Sequence, residues 1–200
     1  MPLLASRRSH YALSPSSHSS SSLTQLIQSA IRASPSAFNS QSSRALLLFG
    51  AAHTHYWREL IPSVLRRAWG EEAAQKVDER LAGFAKAQGT VLFFEDAAVV
   101  QAMKLKSPAY AAGFDPWSLH SAGMAQLAVW LAITEQGLGA NLQHYAQLAG
   151  GEEGEVQRHF GLPQTWKCMA ELVFGAIDPE TAPKEKTFIP DEERFRVYGA

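Results

Sequence analysis

The chain has 200 residues, 46% of them hydrophobic and five of them tryptophan, enough to bury a sizeable core, and residues 1–200 are expected to form a single domain. A formal net charge of −1 gives no electrostatic reason to expect a nucleic-acid partner. The one cysteine, Cys168, excludes an intrachain disulfide and points to a reducing, cytoplasmic compartment; the longest apolar run, Leu127 to Ile133, falls far short of the roughly 20 residues a membrane-spanning helix needs.

In chain order, Ser14 to Ser22 holds seven serines and reads as a flexible loop of low complexity. Leu23, Leu26, Ile27, Ala30 and Ile31 then recur at helical spacing, with Ser22 as the expected N-cap and Pro35 as the stop. Ala45 to Phe49 is a continuous apolar run ended by Gly50 and predicts a buried strand. His53 to Trp69 is amphipathic, and Pro62 must kink that helix or start a new one. Glu71 to Ala87 predicts a second amphipathic helix with Val77, Leu81 and Phe84 inward. Thr90 to Phe94 predicts another strand, and Asp96 to Lys104 a short helix.

Ser107 to Trp117 holds two prolines and a glycine and reads as a loop. Ser118 to Gln136 is apolar on almost every face, as expected of a helix at the centre of a fold or at a subunit interface. Leu138 to Tyr145 follows as strand or loop, Glu152 to Phe160 as a short polar helix, and Lys167 to Gly175 as a third apolar strand. From Ala176 to Ala200 the chain turns polar and proline-punctuated, which predicts an extended arm. The class is α+β. Strand and helix do not alternate regularly, which argues against a doubly wound dinucleotide fold, and neither GxGxxG nor GxxxxGK[ST] is present.

Chemistry concentrates in Pro35 to Arg44, PSAFNSQSSR, which packs two amides, several hydroxyls and a guanidinium just before a buried strand. Amides supply donors and acceptors together, which suits the edge of a flat polar heterocycle. The alternative is that Asn39 and Gln41 cap the preceding helix and hold a tight turn. Arg7-Arg8-Ser9 near the start, with Arg194 and Arg196 near the end, suit a phosphate, which guanidinium grips in a two-pronged geometry. Together these features predict a flavin mononucleotide (FMN) site. Charge distribution agrees: no acid precedes Glu59, whereas Arg7, Arg8, Arg32, Arg44 and Arg58 all lie in that stretch. The same Ser-rich, acid-free opening is also that of an organelle transit peptide, but use of Arg7 and Arg8 at a site argues that it is retained. Cys168, in an apolar run, reads as a small core residue. His53 and His55, two apart on a helix, read as structural.

Five segments in register, Arg7 to Leu13, Pro35 to Arg44, Gly89 to Asp96, Gly137 to Tyr145 and Pro190 to Gly199, resemble the nitroreductase family of flavoproteins, in particular its short branch of yeast fatty-acid-repression-type enzymes and bacterial nitro- and quinone reductases. The resemblance implies a mainly antiparallel central sheet wrapped by helices, extended terminal arms, and an entwined homodimer with FMN bound non-covalently at its interface. It implies that Arg7, Arg8 and Ser9 form an N-terminal flavin motif and that Asn39, Gln41 and Ser42 lie on a loop serving the partner's site. Asn141, Leu142, Gln143 and His144 would run beside the flavin ring, and Arg194 and Arg196, with Lys186, would stand near the phosphate.

The implied activity is a ping-pong hydride transfer from NAD(P)H through flavin N5 to a nitroaromatic or quinone, a small aromatic acceptor, in a stress-response setting. No protein nucleophile is required. His144 either donates a proton at the site or caps it as a structural histidine. Phe114 and Trp117 are the expected substrate contacts, while Phe93, Phe94 and Trp130 are expected to pack the core or interface. The alternative is a flavin-carrying regulatory protein in lipid or oxidative-stress signalling, with the Ser-rich loop open to phosphorylation.

Overall fold

The computed structural model describes residues 2–148 and 154–199. A one-turn helix α1 (Pro2–Ser6) leads into a short strand β1 (Leu13–Ser14) and helix α2 (Ser20–Ala33). The expected flexible loop and cap are corrected here. Ser19, not Ser22, is the N-cap: its side chain accepts from the Ser22 amide, and Ser20 to Ser22 form the first turn. Serine competes well for helix starts, so a serine run nucleates the helix rather than delaying it.

Strand β2 (Ser43–Phe49) feeds a helical run in three parts, α3 (Gly50–His55), a π turn over Tyr56–Leu60, and α4 (Ile61–Trp69). The π turn answers Pro62. Proline has no N–H to return to Arg58 and would crowd its carbonyl, and the wider turn, with Ile61 N–H bonding Tyr56, removes that conflict. The expected helix over Glu71 to Ala87 is two pieces, α5 (Glu71–Gln75) and α6 (Asp78–Phe84). Asp78 starts the second, where the helix dipole favours an acid, and accepts from Arg66 over 2.6 Å.

Strand β3 (Gly89–Asp96) is buried along its whole length, and α7 (Ala97–Lys106) begins on Asp96, whose side chain accepts from the Ala98 amide. Ser107 to Trp117 is not the expected loop: after a 3-10 turn at Pro108–Tyr110, α8 runs from Ala111 to Glu135 with Pro116 inside it. Near a helix start that proline forfeits a single backbone bond. In return the helical phase brings Phe114 and Trp117 against Phe38, with ring centroids at 5.3 and 5.8 Å.

Strand β4 (Gly139–Gln143), helix α9 (Tyr145–Leu148), helix α10 (Glu155–His159) and strand β5 (Trp166–Ile177) complete the body. Of the expected helix from Glu152, residues 152 and 153 lie outside the described residues. The C-terminal arm is extended apart from one turn, α11 (Asp191–Arg194), which corrects the expectation of no helix there.

The sheet is antiparallel throughout, in the order β1-β5-β3-β2, with β4 also paired to β5. Strand β5 is the hub, taking β3 on one edge and β4 and β1 on the other. Both faces are covered. Leu92, Phe94 and Val173 pack under the helices from Tyr56 to Phe84, while Val91, Phe93, Leu172 and Phe174 pack under α2 and α8. Two-sided burial explains why β3 and β5 read as largely apolar runs, whereas β2, expected to be buried, is half-buried except at Leu48. At Gly139 an added Cβ would meet Ile177 at 2.7 Å, Leu13 at 2.9 Å and His10 at 3.0 Å, so only glycine lets the N-terminal arm lie against the start of β4.

Candidate functional site

The arm carrying Arg7 to Ala12 is fastened to β4. Ser9 and Ala140 form a parallel bridge, the His10 amide donates to the Ala140 carbonyl over 3.0 Å, and the Asn141 side-chain amide donates to the His10 carbonyl over 2.7 Å. Gln143 in turn donates to the Asn141 side-chain oxygen over 2.8 Å. Asn141 is fully buried, and both ends of its amide are used within the chain. Its expected binding role therefore belongs to the strand it braces, with Leu142 half-buried in the α2/α8 core and His144 exposed at the strand's end.

The C-terminal arm folds back onto the same region. The Asp178 amide donates to the Ala12 carbonyl over 3.2 Å, and the Lys186 ammonium donates to the Ala5 carbonyl over 2.8 Å. Between the arms lies a cleft of about 450 Å³ lined by Arg8, Ser9, His10, Tyr11 and residues 181–185. Burial and then the nearby Arg8 cation hold the His10 imidazole below its ordinary pKa. Arg7 is not among the residues lining this cleft; its guanidinium carbon lies over the Trp130 ring, 4.4 Å from the centroid. Arg194 and Arg196 stay at the exposed end of the arm: Arg196 donates to the Glu192 carbonyl, and Arg194 lies over Phe195.

Asn39 and Gln41 are not brought to this cleft. They line a second one, of about 470 Å³, with Ser36, Arg32, Arg44, Ser121 and Trp166. The loop carrying them is strained: Phe38, Asn39 and Gln41 have φ of 54°, 51° and 50°, a left-handed conformation that side-chain-bearing residues rarely adopt. It is held there from several directions. Ser121 Oγ accepts from the Ala37 amide, Ser36 Oγ accepts from the Gln41 amide, and Arg44 donates to the Gln41 carbonyl over 2.6 Å while pairing with Asp96 at 3.2 Å. Ser42, fully buried, and Ser43 both donate hydroxyls to Glu95, a carboxyl that burial pushes upward despite those donors. The Ser42 side chain is thus turned inward.

Phe114 and Trp117 stand beside this loop. Phe114 is buried, and Phe38, 56% exposed, stacks on Trp117 and packs against Tyr110 at 5.5 Å. Phe38 and Tyr110 complete an aromatic wall that sequence reading did not assign; the signal available was a phenylalanine beside an amide in an otherwise polar loop. Glu171, a fully buried carboxyl, was likewise not assigned from the sequence, whereas Trp130 packs against the core as expected. An acid inside the run Cys168 to Gly175 was the visible sign of Glu171.

Fold and site together define an α+β domain with a cleft between its arms, lined by Arg8 and Ser9, and a strained amide-bearing loop apart from it. Residues 4–176 match the Nitroreductase family, and the chain belongs to that family, which makes it an oxidoreductase. It is 34% identical to HBN1 of Saccharomyces cerevisiae over 194 residues, covering 94% of this chain and 92% of HBN1. Nitroreductase CinD from Lactococcus lactis, in complex with chloramphenicol and with 4-nitrophenol, superposes with TM-scores of 0.87 and 0.86 at 40% identity, covering 98% of both chains. A nitroreductase with bound FMN from Desulfitobacterium hafniense shares the fold, with a TM-score of 0.69 at 19% identity over 98% of this chain and 96% of that one.

Proposed function

We propose that the protein is a homodimeric, FMN-dependent oxidoreductase that uses NAD(P)H to reduce nitroaromatics or quinones. The observation that carries this reading is the division of the donor set. Arg8 and Ser9 of the N-terminal motif line one cleft, the heterocycle-matching amides Asn39 and Gln41, with Arg32 and Arg44, line another, and the two clefts share no lining residue. A second copy that brought its residues 36–42 to the first copy's arm would complete both sites. The exposed apolar arm supports such a copy: Phe188, Val197 and Tyr198 are 75%, 76% and 92% exposed, more than a solitary chain has reason to leave in water.

The residues fit FMN in kind. Arg7, Arg8, Ser9 and Lys186 offer charge-assisted donors for a phosphate, with Arg194 and Arg196 on the arm that folds back. The edge of β4, Asn141 to His144, is stiffened by the Asn141–His10 and Gln143–Asn141 bonds and suits a planar ring laid beside it. When bound, FMN supplies alternating hydride acceptance and delivery. The chain's own part is to orient the ring, exclude water and stack the second substrate. For that substrate Phe38, Tyr110 and Trp117 offer an aromatic wall. CinD's complexes with chloramphenicol and 4-nitrophenol, and the FMN of the Desulfitobacterium hafniense protein, favour the same ligands here. His144, exposed at the end of β4, is the available proton donor beside the ring.

The test is direct. Purified protein should carry or take up FMN, bleach on anaerobic addition of NADH or NADPH, regain its colour with 4-nitrophenol or a benzoquinone, and sediment as a dimer. Protein that takes up no FMN at micromolar concentration, or a monomer that turns over fully, overturns the reading.

A further inference from the structure

We propose that Trp130 is a positioning residue for Arg7, fixing its guanidinium so that the donor edge faces the phosphate of the bound mononucleotide; this rests on the FMN reading above. Trp130 belongs to α8, and its ring packs against the core under α2 and α8, so it is a fixed surface. Arg7 holds its guanidinium carbon over that ring, 4.4 Å from the centroid. A cation over a ring uses its face and leaves its five N–H donors free along the edge, the arrangement that two-pronged phosphate binding requires.

Three other arginines are taken up by carboxylates. Arg44 pairs with Asp96, Arg66 with Glu71 and Asp78, and Arg67 with Glu155. Among the described residues no carboxylate pairs with Arg7. Its backbone is also pinned, since the Arg7 amide donates to the Leu3 carbonyl over 3.1 Å and Ser9 is bridged to Ala140. The side chain alone remains to be oriented, and the indole does that. Packing needs do not account for tryptophan at this position. Its ring N–H is buried without an acceptor among the described residues, a cost that an apolar residue of the core would not carry.

The experiment compares FMN with riboflavin, which lacks the phosphate, by fluorescence titration of the flavin-free dimer. Wild type should prefer FMN. Trp130→Leu should weaken FMN binding about tenfold and leave riboflavin binding unchanged, so the preference falls by the same factor. Trp130→Phe keeps a π face and should stay within about threefold of wild type. Arg7→Lys keeps the charge on an exposed arm, leaves the core intact, and should lose preference as Trp130→Leu does. In an Arg7→Met background, Trp130→Leu should cost nothing further. Equal losses for FMN and riboflavin, or full preference in Trp130→Leu and in Arg7→Lys, overturn the inference alone. A wild type that binds no FMN overturns it together with the flavin reading.

Discussion

The Tyr56 hydroxyl donates to Glu171 Oε1 across 3.0 Å in the middle of the fold, tying the π turn to the hub strand β5. The Ala146 amide donates to the same oxygen over 2.7 Å, so this carboxyl also anchors the turn that follows Asn141 to His144. Its second oxygen has no partner among the described residues. Burial, stronger than these donors, raises the carboxyl pKa from 4.5 to about 7.

A pH dependence of stability follows from that shift. Below pH 4.5 native and unfolded chains both hold the proton; between 4.5 and about 7 the unfolded chain releases it while the native one keeps it. This contribution to stability is therefore lost as pH rises through that window and levels off above it. Glu171→Gln abolishes the titration. Its stability relative to wild type, from urea melts, should improve by about 2–3 kcal/mol between pH 5 and pH 8. A difference that does not change with pH would remove Glu171 as the titrating group.

Thr90 joins two buried rings. Its Oγ1 accepts from the Trp57 indole N–H over 2.8 Å and meets His53 Nδ1 at 3.0 Å, while His53 Nε2 meets the Phe84 carbonyl at 3.0 Å. A carbonyl only accepts, so Nε2 carries the proton and Thr90 donates to Nδ1. Burial accordingly lowers the His53 pKa to about 4. Thr90→Val preserves shape and orphans both rings, and should destabilise the protein by about 2–4 kcal/mol in chemical denaturation. A loss below half a kcal/mol would show that the network is not coupled as drawn.

Asn141→Ala removes the donor to the His10 carbonyl and the acceptor for Gln143. It should cost about 1–3 kcal/mol and speed amide exchange over residues 7–12 before it affects β3. FMN binding should weaken in parallel. Unchanged exchange in the arm would mean that the Ser9–Ala140 bridge suffices.

Gln41 carries left-handed strain that glycine relieves. Gln41→Gly should therefore leave stability unchanged or raise it by up to about 1 kcal/mol while weakening FMN binding. Loss of stability with flavin affinity intact would assign this residue to the fold alone.

The apolar runs at Ala45, Thr90 and Lys167 were legible as strands because most of the sheet is covered on both faces, which leaves few polar residues, Thr90 and Glu171 among them, to interrupt the pattern. The amide-rich loop and the paired basic ends were legible as groups with the chemistry a phosphorylated heterocycle requires, because that chemistry does not depend on where they sit. Ser107 to Trp117 was not legible: proline and glycine argue locally for a loop, and tertiary contacts such as those of Phe114 and Trp117 with Phe38 and of Asp115 with Lys104 favour a helix there. The serine run misled in the opposite sense, since which serine caps the helix depends on where Leu23 and Ile27 must point.

Residue chemistry by itself determined the class of fold, the nitroreductase resemblance and the list of groups suited to a phosphorylated heterocycle, because these follow from composition and short-range pattern. Tertiary structure alone decided which of those groups meet. It sent Arg7 to Trp130 and Arg8 to the cleft, spent Asn141 and Ser42 on internal bonds, and parted Asn39 and Gln41 from the basic arm. The reason is that each such pairing spans a large sequence separation, and the burial that sets it is a property of the whole sheet rather than of any segment.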